Sequence, residues 1–143
     1  MKNLVIDCNV FISAFIGSDT CFQALDKAFS GYRVCYSDET LKELLKTLNR
    51  PKFRHIRNAE RIQVTLHVLH SLGDFFTPEP CGIKLPDPDD AIYLDLALAA
   101  YAEFIITGNK KHFPENLCKG IQILSPREFL EYKASLLKIH RGY

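Results

Sequence analysis

Apolar and polar positions fall in alternating blocks along the chain. Four short apolar runs have the length and the β-branched or aromatic character of buried strands: Leu4-Val5-Ile6 and residues 33–36, 104–107 and 121–124. Between them the apolar residues return at helical spacing. One helical stretch runs from a cap at Ser18 or Asp19 to a stop at Gly31. Ser37 caps the next, with Asp38 and Glu39 at the positive end of the helix dipole, and Arg50-Pro51 ends it. Asn58 caps another that stops at Gly73, and residues 74–77 form a short strand before a Pro-rich loop.

Asp87-Pro88-Asp89-Asp90 writes a helix start in full: an acidic cap, a proline at the first position and acids in the first turn. The helix to about Ala102 is apolar nearly all round and is predicted to be deeply packed. Ser125-Pro126-Arg127-Glu128 is a capping box that opens the last helix. The alternation of strand and helix predicts an α/β fold: a single three-layer domain over residues 1–143. Its central sheet is mostly parallel, of four to five strands, flanked by helices.

Composition narrows the classes. A chain of 143 residues with 47% apolar and 24% charged positions is one ordinary globular core, which excludes a disordered or fibrous chain. Eighteen Lys and Arg against 17 Asp and Glu leave a net charge of +1, so any nucleic-acid contact must come from a local patch. Cys8, Cys21, Cys35, Cys81 and Cys118 are odd in number, scattered and without a Cys-x-x-Cys, which points to reduced thiols. Asp7 and Asn9 interrupt the first apolar stretch too early for a signal peptide. Residues 91–106 carry Asp95 and Glu103 and are too short to span a bilayer. The expectation is a cytoplasmic protein with no membrane partner.

In parallel sheets, sites form beyond the carboxyl ends of the strands. Asp7 follows the first strand, Asn109 lies two residues after the 104–107 strand, and Asp87, Asp89 and Asp90 stand at a helix start. Carboxylates gathered closely raise each other's pKa, and a hard divalent cation resolves that conflict. All-oxygen donors suit Mg²⁺ or Mn²⁺, which can lower the pKa of a water and offset charge on a phosphoryl oxygen. The other reading of the same residues is a set of turn and cap groups. His112 reads as a loop or packing residue.

The ordered motifs resemble the PIN domain family, in its VapC-like toxin branch among prokaryotic nucleases. They begin with Leu4-Val5-Ile6-Asp7-Cys8-Asn9-Val10 and continue with residues 37–48 followed by Arg50-Pro51-Lys52-Phe53. Pro86-Asp87-Pro88-Asp89-Asp90, Thr107-Gly108-Asn109-Lys110-Lys111-His112-Phe113 and Leu124-Ser125-Pro126-Arg127-Glu128 complete the series. No one motif is specific; their order along almost the whole chain is. The resemblance implies catalytic, metal-holding residues Asp7, Glu43 and Asp90, with Asn109 at a fourth position that usually carries an acid. It implies that Asn9 and Thr107 flank and orient the site. Leu41, Leu44, Leu45 and Leu48 form an apolar stripe, and at about 100° per residue Glu43 points away from it. The pattern alone therefore reads Glu43 as solvated, and the resemblance places it in the site.

The activity implied is Mg²⁺- or Mn²⁺-dependent hydrolysis of RNA phosphodiesters by the toxin of a toxin–antitoxin pair. An antitoxin protein and a homodimer are the implied partners. Arg50, Lys52 and Arg54, with His55, Arg57 and Arg61 behind them, form the densest basic patch, and Lys110 and Lys111 add charge beside the site. Contacts from such groups give salt-dependent, sequence-blind affinity for RNA. The alternative is a catalytically weak or inactive PIN scaffold that binds RNA or a protein, suggested by the neutral Asn109. A phosphatase of the haloacid dehalogenase type needs Asp-x-Asp after its first strand, and Asp7-Cys8-Asn9 does not supply it.

Overall fold

The computed structural model describes residues 1–133. Five strands, β1 (Asn3–Ile6), β2 (Arg33–Tyr36), β3 (Asp74–Phe75), β4 (Phe104–Ile106) and β5 (Gln122–Leu124), pair in the order β3-β2-β1-β4-β5. Every pairing is parallel, with Val5 opposite both Cys35 and Ile105. Strands from successive chain segments thus leave β1 in opposite directions. The crevice beyond the carboxyl ends of β1 and β4 is the topological switch point, where ligands bind in open α/β sheets.

Among the described residues, six α-helices flank the sheet: α1 (Cys8–Phe15), α2 (Asp19–Gly31), α3 (Asp38–Leu48), α4 (Ala59–Leu72), α5 (Ala91–Ala99) and α6 (Pro126–Glu131). Their starts follow from local side chains. Ser18 accepts from the Cys21 N–H, Asn58 from the Arg61 N–H, and Ser125 and Glu128 bond each other's backbone as a capping box. Ser37 and Thr40 do the same at the start of α3. The sheet and helices close over Leu4, Val5, Leu94, Leu96, Phe104, Ile105 and Phe129, all fully buried. Among the described residues, no helix is long and apolar enough to cross a membrane.

Two local differences from the sequence-based expectation matter for the site. First, α1 is a separate helix before Ser18, capped by Asp7 and closed at Gly17, whose φ is +126°. The periodicity did not mark it because six of its eight residues are buried, leaving no polar face to contrast with an apolar one. Second, the acidic start at residues 87–90 is a 3₁₀ turn (Pro88–Asp90), with α5 proper beginning at Ala91. Asp87 still caps that turn, accepting the Asp89 N–H at 3.0 Å. The turn swings Asp90 to the N-cap position of α5.

Candidate active site

Asp7 sits where β1 ends, its own N–H donating to the Ile106 carbonyl of β4 at 2.9 Å. It is 3% exposed, and both carboxylate oxygens are held. Oδ1 accepts the Asn9 N–H at 3.2 Å as the α1 cap, and Oδ2 accepts the Thr107 hydroxyl at 2.9 Å. Thr107 is itself buried, and its Oγ1 accepts the Asn109 N–H at 3.0 Å. A chain of short bonds therefore fixes Asp7, Thr107 and the Asn109 backbone as a unit. Burial raises the Asp7 pKa above the ordinary carboxylate range; the Thr107 and Asn9 bonds and nearby His112 oppose it, while the Glu43 charge pushes it further up.

Asp90 faces the same crevice from α5. Its side chain is 13% exposed, and its pKa is pushed up to about 6, first by burial and then by the Asp7 charge. His112 Nδ1 lies 2.9 Å from Asp90 Oδ2. The contact is close but poorly directed: Oδ2 is buried and accepts no well-aligned hydrogen bond, and His112, by its charge and this contact, only partly offsets the effect of burial on Asp90. One ligand atom each from Asp87, Asp90 and His112 lie within 4.8 Å of one another. Glu43 arrives from α3, which packs against α1. It is half-buried, its Oε1 accepts the Thr47 hydroxyl at 3.4 Å, and its charge raises the pKa of Asp7 and Cys8. Beneath the site the Tyr93 hydroxyl accepts the Cys8 N–H at 3.3 Å, and burial pushes the Cys8 thiol up to about 11, so the thiol is not a nucleophile here.

The crevice thus brings Asp7, Asp90, Thr107 and Asn109 together, with Glu43 close enough to act on Asp7. Asn9 is exposed on the first turn of α1. Asp87, one of the oxygen donors that the helix start offered, also belongs to the cluster, and so does His112, whose reading as a loop or packing residue did not give it this place. The 3₁₀ turn Lys110–His112 folds the ring back, and Asn109 Nδ2 stands 2.9 Å from its Nε2.

The basic residues divide. Arg50, Lys52 and Arg54 are exposed around the 3₁₀ turn Pro51–Phe53 that follows α3, with Lys52 over the Phe53 ring. Arg57 donates to the Leu48 carbonyl, and Arg61 to the Ala14 carbonyl and Asp19, so both hold the fold together. Lys110 is paired with Glu128 at 3.0 Å, and Lys111 is exposed.

Crowded carboxylates, a carboxylate pKa displaced toward neutrality and a buried oxygen without a donor are together the chemistry that a divalent cation satisfies. An α/β sheet with such a cluster at its switch point defines a class of acidic-site domain. Comparison with known families makes this specific: the PIN domain family model matches residues 3–111, and the chain belongs to that family. No curated protein matches it in sequence. Among solved structures it is similar to a chain of VapBC2 from Rickettsia felis, in a crystal structure bound to a DNA fragment from their promoter. That match has a TM-score of 0.59 and 16% identity, covering 86% of this chain and 98% of the other, a likeness of fold.

Proposed function

We propose that the protein is a metal-dependent endoribonuclease, hydrolysing RNA phosphodiester bonds as the toxin of a toxin–antitoxin pair. The observation that carries this reading is the convergence of Asp7 and Asp90 on one crevice, with Glu43 acting on the same charge. Membership of the PIN domain family supports it. Asp7, Glu43 and Asp90 would hold Mg²⁺ or Mn²⁺, with Asn109 beside them. When bound, such a cation supplies a water of lowered pKa and offsets charge on the phosphate oxygens. The residues around it keep the site in register. Thr107 fixes Asp7 through Oδ2, Asp7 in turn caps α1, and Asn9 reaches solvent from the first turn, placed for a phosphate oxygen. The test is purified full-length protein incubated with mixed RNAs and Mn²⁺, Mg²⁺ or chelator. Cleavage that requires the cation supports the reading; cation-independent cleavage, or none at all, overturns it.

RNA would reach the crevice along Arg50, Lys52 and Arg54, with Lys111 at its edge. Each phosphate contact on a single strand contributes about 0.7 to the slope of log affinity against log salt. Reversing all three to Glu is expected to lower that slope by about 2, measured by fluorescence anisotropy on a short single-stranded RNA. An unchanged slope removes the patch from the binding surface.

The antitoxin partner has a suitable surface. Phe22, Leu25, Phe29, Val64, Val68 and Leu72 line a groove of about 320 Å³ between α2 and α4. Val64 and Leu72 are 51% and 62% exposed there, an apolar patch that a partner's apolar helix would cover. Val64→Glu combined with Leu72→Glu is expected to abolish co-purification with a co-expressed antitoxin; retention through this double change places the partner elsewhere. A homodimer and cytoplasmic location complete the proposal, checked by light scattering and by cell fractionation.

A further inference from the structure

A fourth carboxylate is missing at Asn109, yet an imidazole stands beside it, bridging Asn109 on one side and Asp90 on the other. Resting on the nuclease reading above, we propose that His112 is a nitrogen ligand of this site, joined by Asp87 and Asp90. In this assignment Asn109 serves as the positioning residue of His112 and is not itself a ligand. Three facts of the fold lead here. One ligand atom each from Asp87, Asp90 and His112 lie within 4.8 Å of one another. His112 Nδ1 is 2.9 Å from Asp90 Oδ2, an oxygen buried without a hydrogen bond. Asp87 spends one oxygen on the Asp89 N–H, which leaves the other for the cluster.

The Asn109 side chain decides the tautomer. In the state where Nδ2 donates to Nε2 across their 2.9 Å separation, the ring proton lies on Nδ1, on the Asp90 side. A half-turn of the amide presents Oδ1 instead; Nε2–H then donates to Oδ1, and the Nδ1 lone pair turns toward the carboxylates. Metal-bound imidazoles characteristically donate their other N–H to such an oxygen, which orients the ring. An Asp at position 109 could only accept, and Asn can serve both states. An imidazole among carboxylates also changes which cation is preferred. Imidazole suits Zn²⁺, Fe²⁺ and Ni²⁺ best; Mn²⁺, an oxygen-preferring ion, still takes a nitrogen donor more readily than Mg²⁺ does.

The test is electron spin-echo spectroscopy of the full-length protein loaded with MnCl₂ alone, alongside calorimetric affinities for Mn²⁺ and Mg²⁺. Wild type is expected to show ¹⁴N coupling to Mn²⁺ and a preference for Mn²⁺ over Mg²⁺. His112→Ala should lose the coupling and about tenfold of that preference. Asn109→Asp keeps an oxygen for Nε2–H and should retain the coupling; Asn109→Leu should weaken Mn²⁺ binding more than Mg²⁺ binding. His112 is 37% exposed at its side chain, so its removal should leave the circular dichroism unchanged. Mn²⁺ that binds through Asp7 with no ¹⁴N coupling overturns the His112 assignment and leaves the nuclease reading standing. Mn²⁺ that does not bind overturns both.

Discussion

Asp7→Asn is expected to lower cation-dependent RNA cleavage by at least about 100-fold while leaving the fold and its melting temperature within a few degrees of wild type. Geometry separates the two effects. Asp7 has a structural duty, capping α1 through Oδ1 at 3.2 Å from the Asn9 N–H. Asn performs that duty about as well, because its amide oxygen accepts the same bond. What Asn cannot supply is the negative charge and the second acceptor oxygen that takes the Thr107 hydroxyl; its NH₂ can donate to Thr107 Oγ1 instead, so the larger loss is charge. That charge is held 3% exposed, at a raised pKa, against the Asp90 and Glu43 carboxylates. Asp7→Ala would confuse the two duties, since it removes the cap as well, at a cost of about 1 kcal/mol. Cleavage rates measured under saturating Mn²⁺, with thermal melts of the same samples, decide the matter. A variant that cleaves at the wild-type rate removes Asp7 from the chemistry, and one that no longer folds shows that the carboxylate is structural.

How much of this site could be read in the sequence depended on whether a side chain acts locally. Ser18, Ser37, Asn58 and Ser125 were legible as caps because each bonds a backbone N–H three residues away, a relation linear order contains. Asp7 and Asn109 were legible because they follow strands. Glu43 was not legible from pattern. The leucine stripe suggested that α3 buries Leu41 and Leu45, whereas its buried residues are Thr40, Leu44, Thr47 and Leu48. Leu45 is 38% exposed, at the rim of the helix. With the buried face centred between Leu44 and Thr47, Glu43 lies at its edge, toward α1, and not on the solvent side. Two threonines that bury without looking apolar shifted the face by about a fifth of a turn. His112 was illegible for another reason: its contact with Asp90 spans 22 positions and exists only once β4 and α5 are assembled.

The second large effect runs against intuition: Asp90→Asn should stabilise the cation-free protein at pH 7.5 while abolishing the proposed cation-dependent cleavage. Asp90 has its pKa raised from the ordinary 3.8 to about 6 in the folded state. The folded protein therefore binds this proton more tightly than the unfolded chain does. Its contribution to stability is full below about pH 4 and is lost as the pH rises through about 6. The full shift corresponds to about 3 kcal/mol at roughly 1.4 kcal/mol per pH unit. Partial solvation of the site reduces this to about 1–2 kcal/mol. Asn carries no charge to desolvate, so the variant should melt about 3–6 °C above wild type at pH 7.5 in chelator and converge with it near pH 4.5. Mn²⁺ should reverse the order. A cation at about 100 times its Kd stabilises wild type by about 2.7 kcal/mol, and the variant, having lost a ligand charge, should gain far less. Calorimetric melts of both proteins at three pH values, with chelator and with Mn²⁺, contain the whole argument. An Asn variant that is less stable than wild type in chelator at pH 7.5 would mean that the Asp90 carboxylate is already satisfied by His112. The strain attributed to the crowded carboxylates would then not exist. If instead the crossover is seen, the like charges at the switch point are held together at the expense of the fold, and a divalent ion is what they are held for.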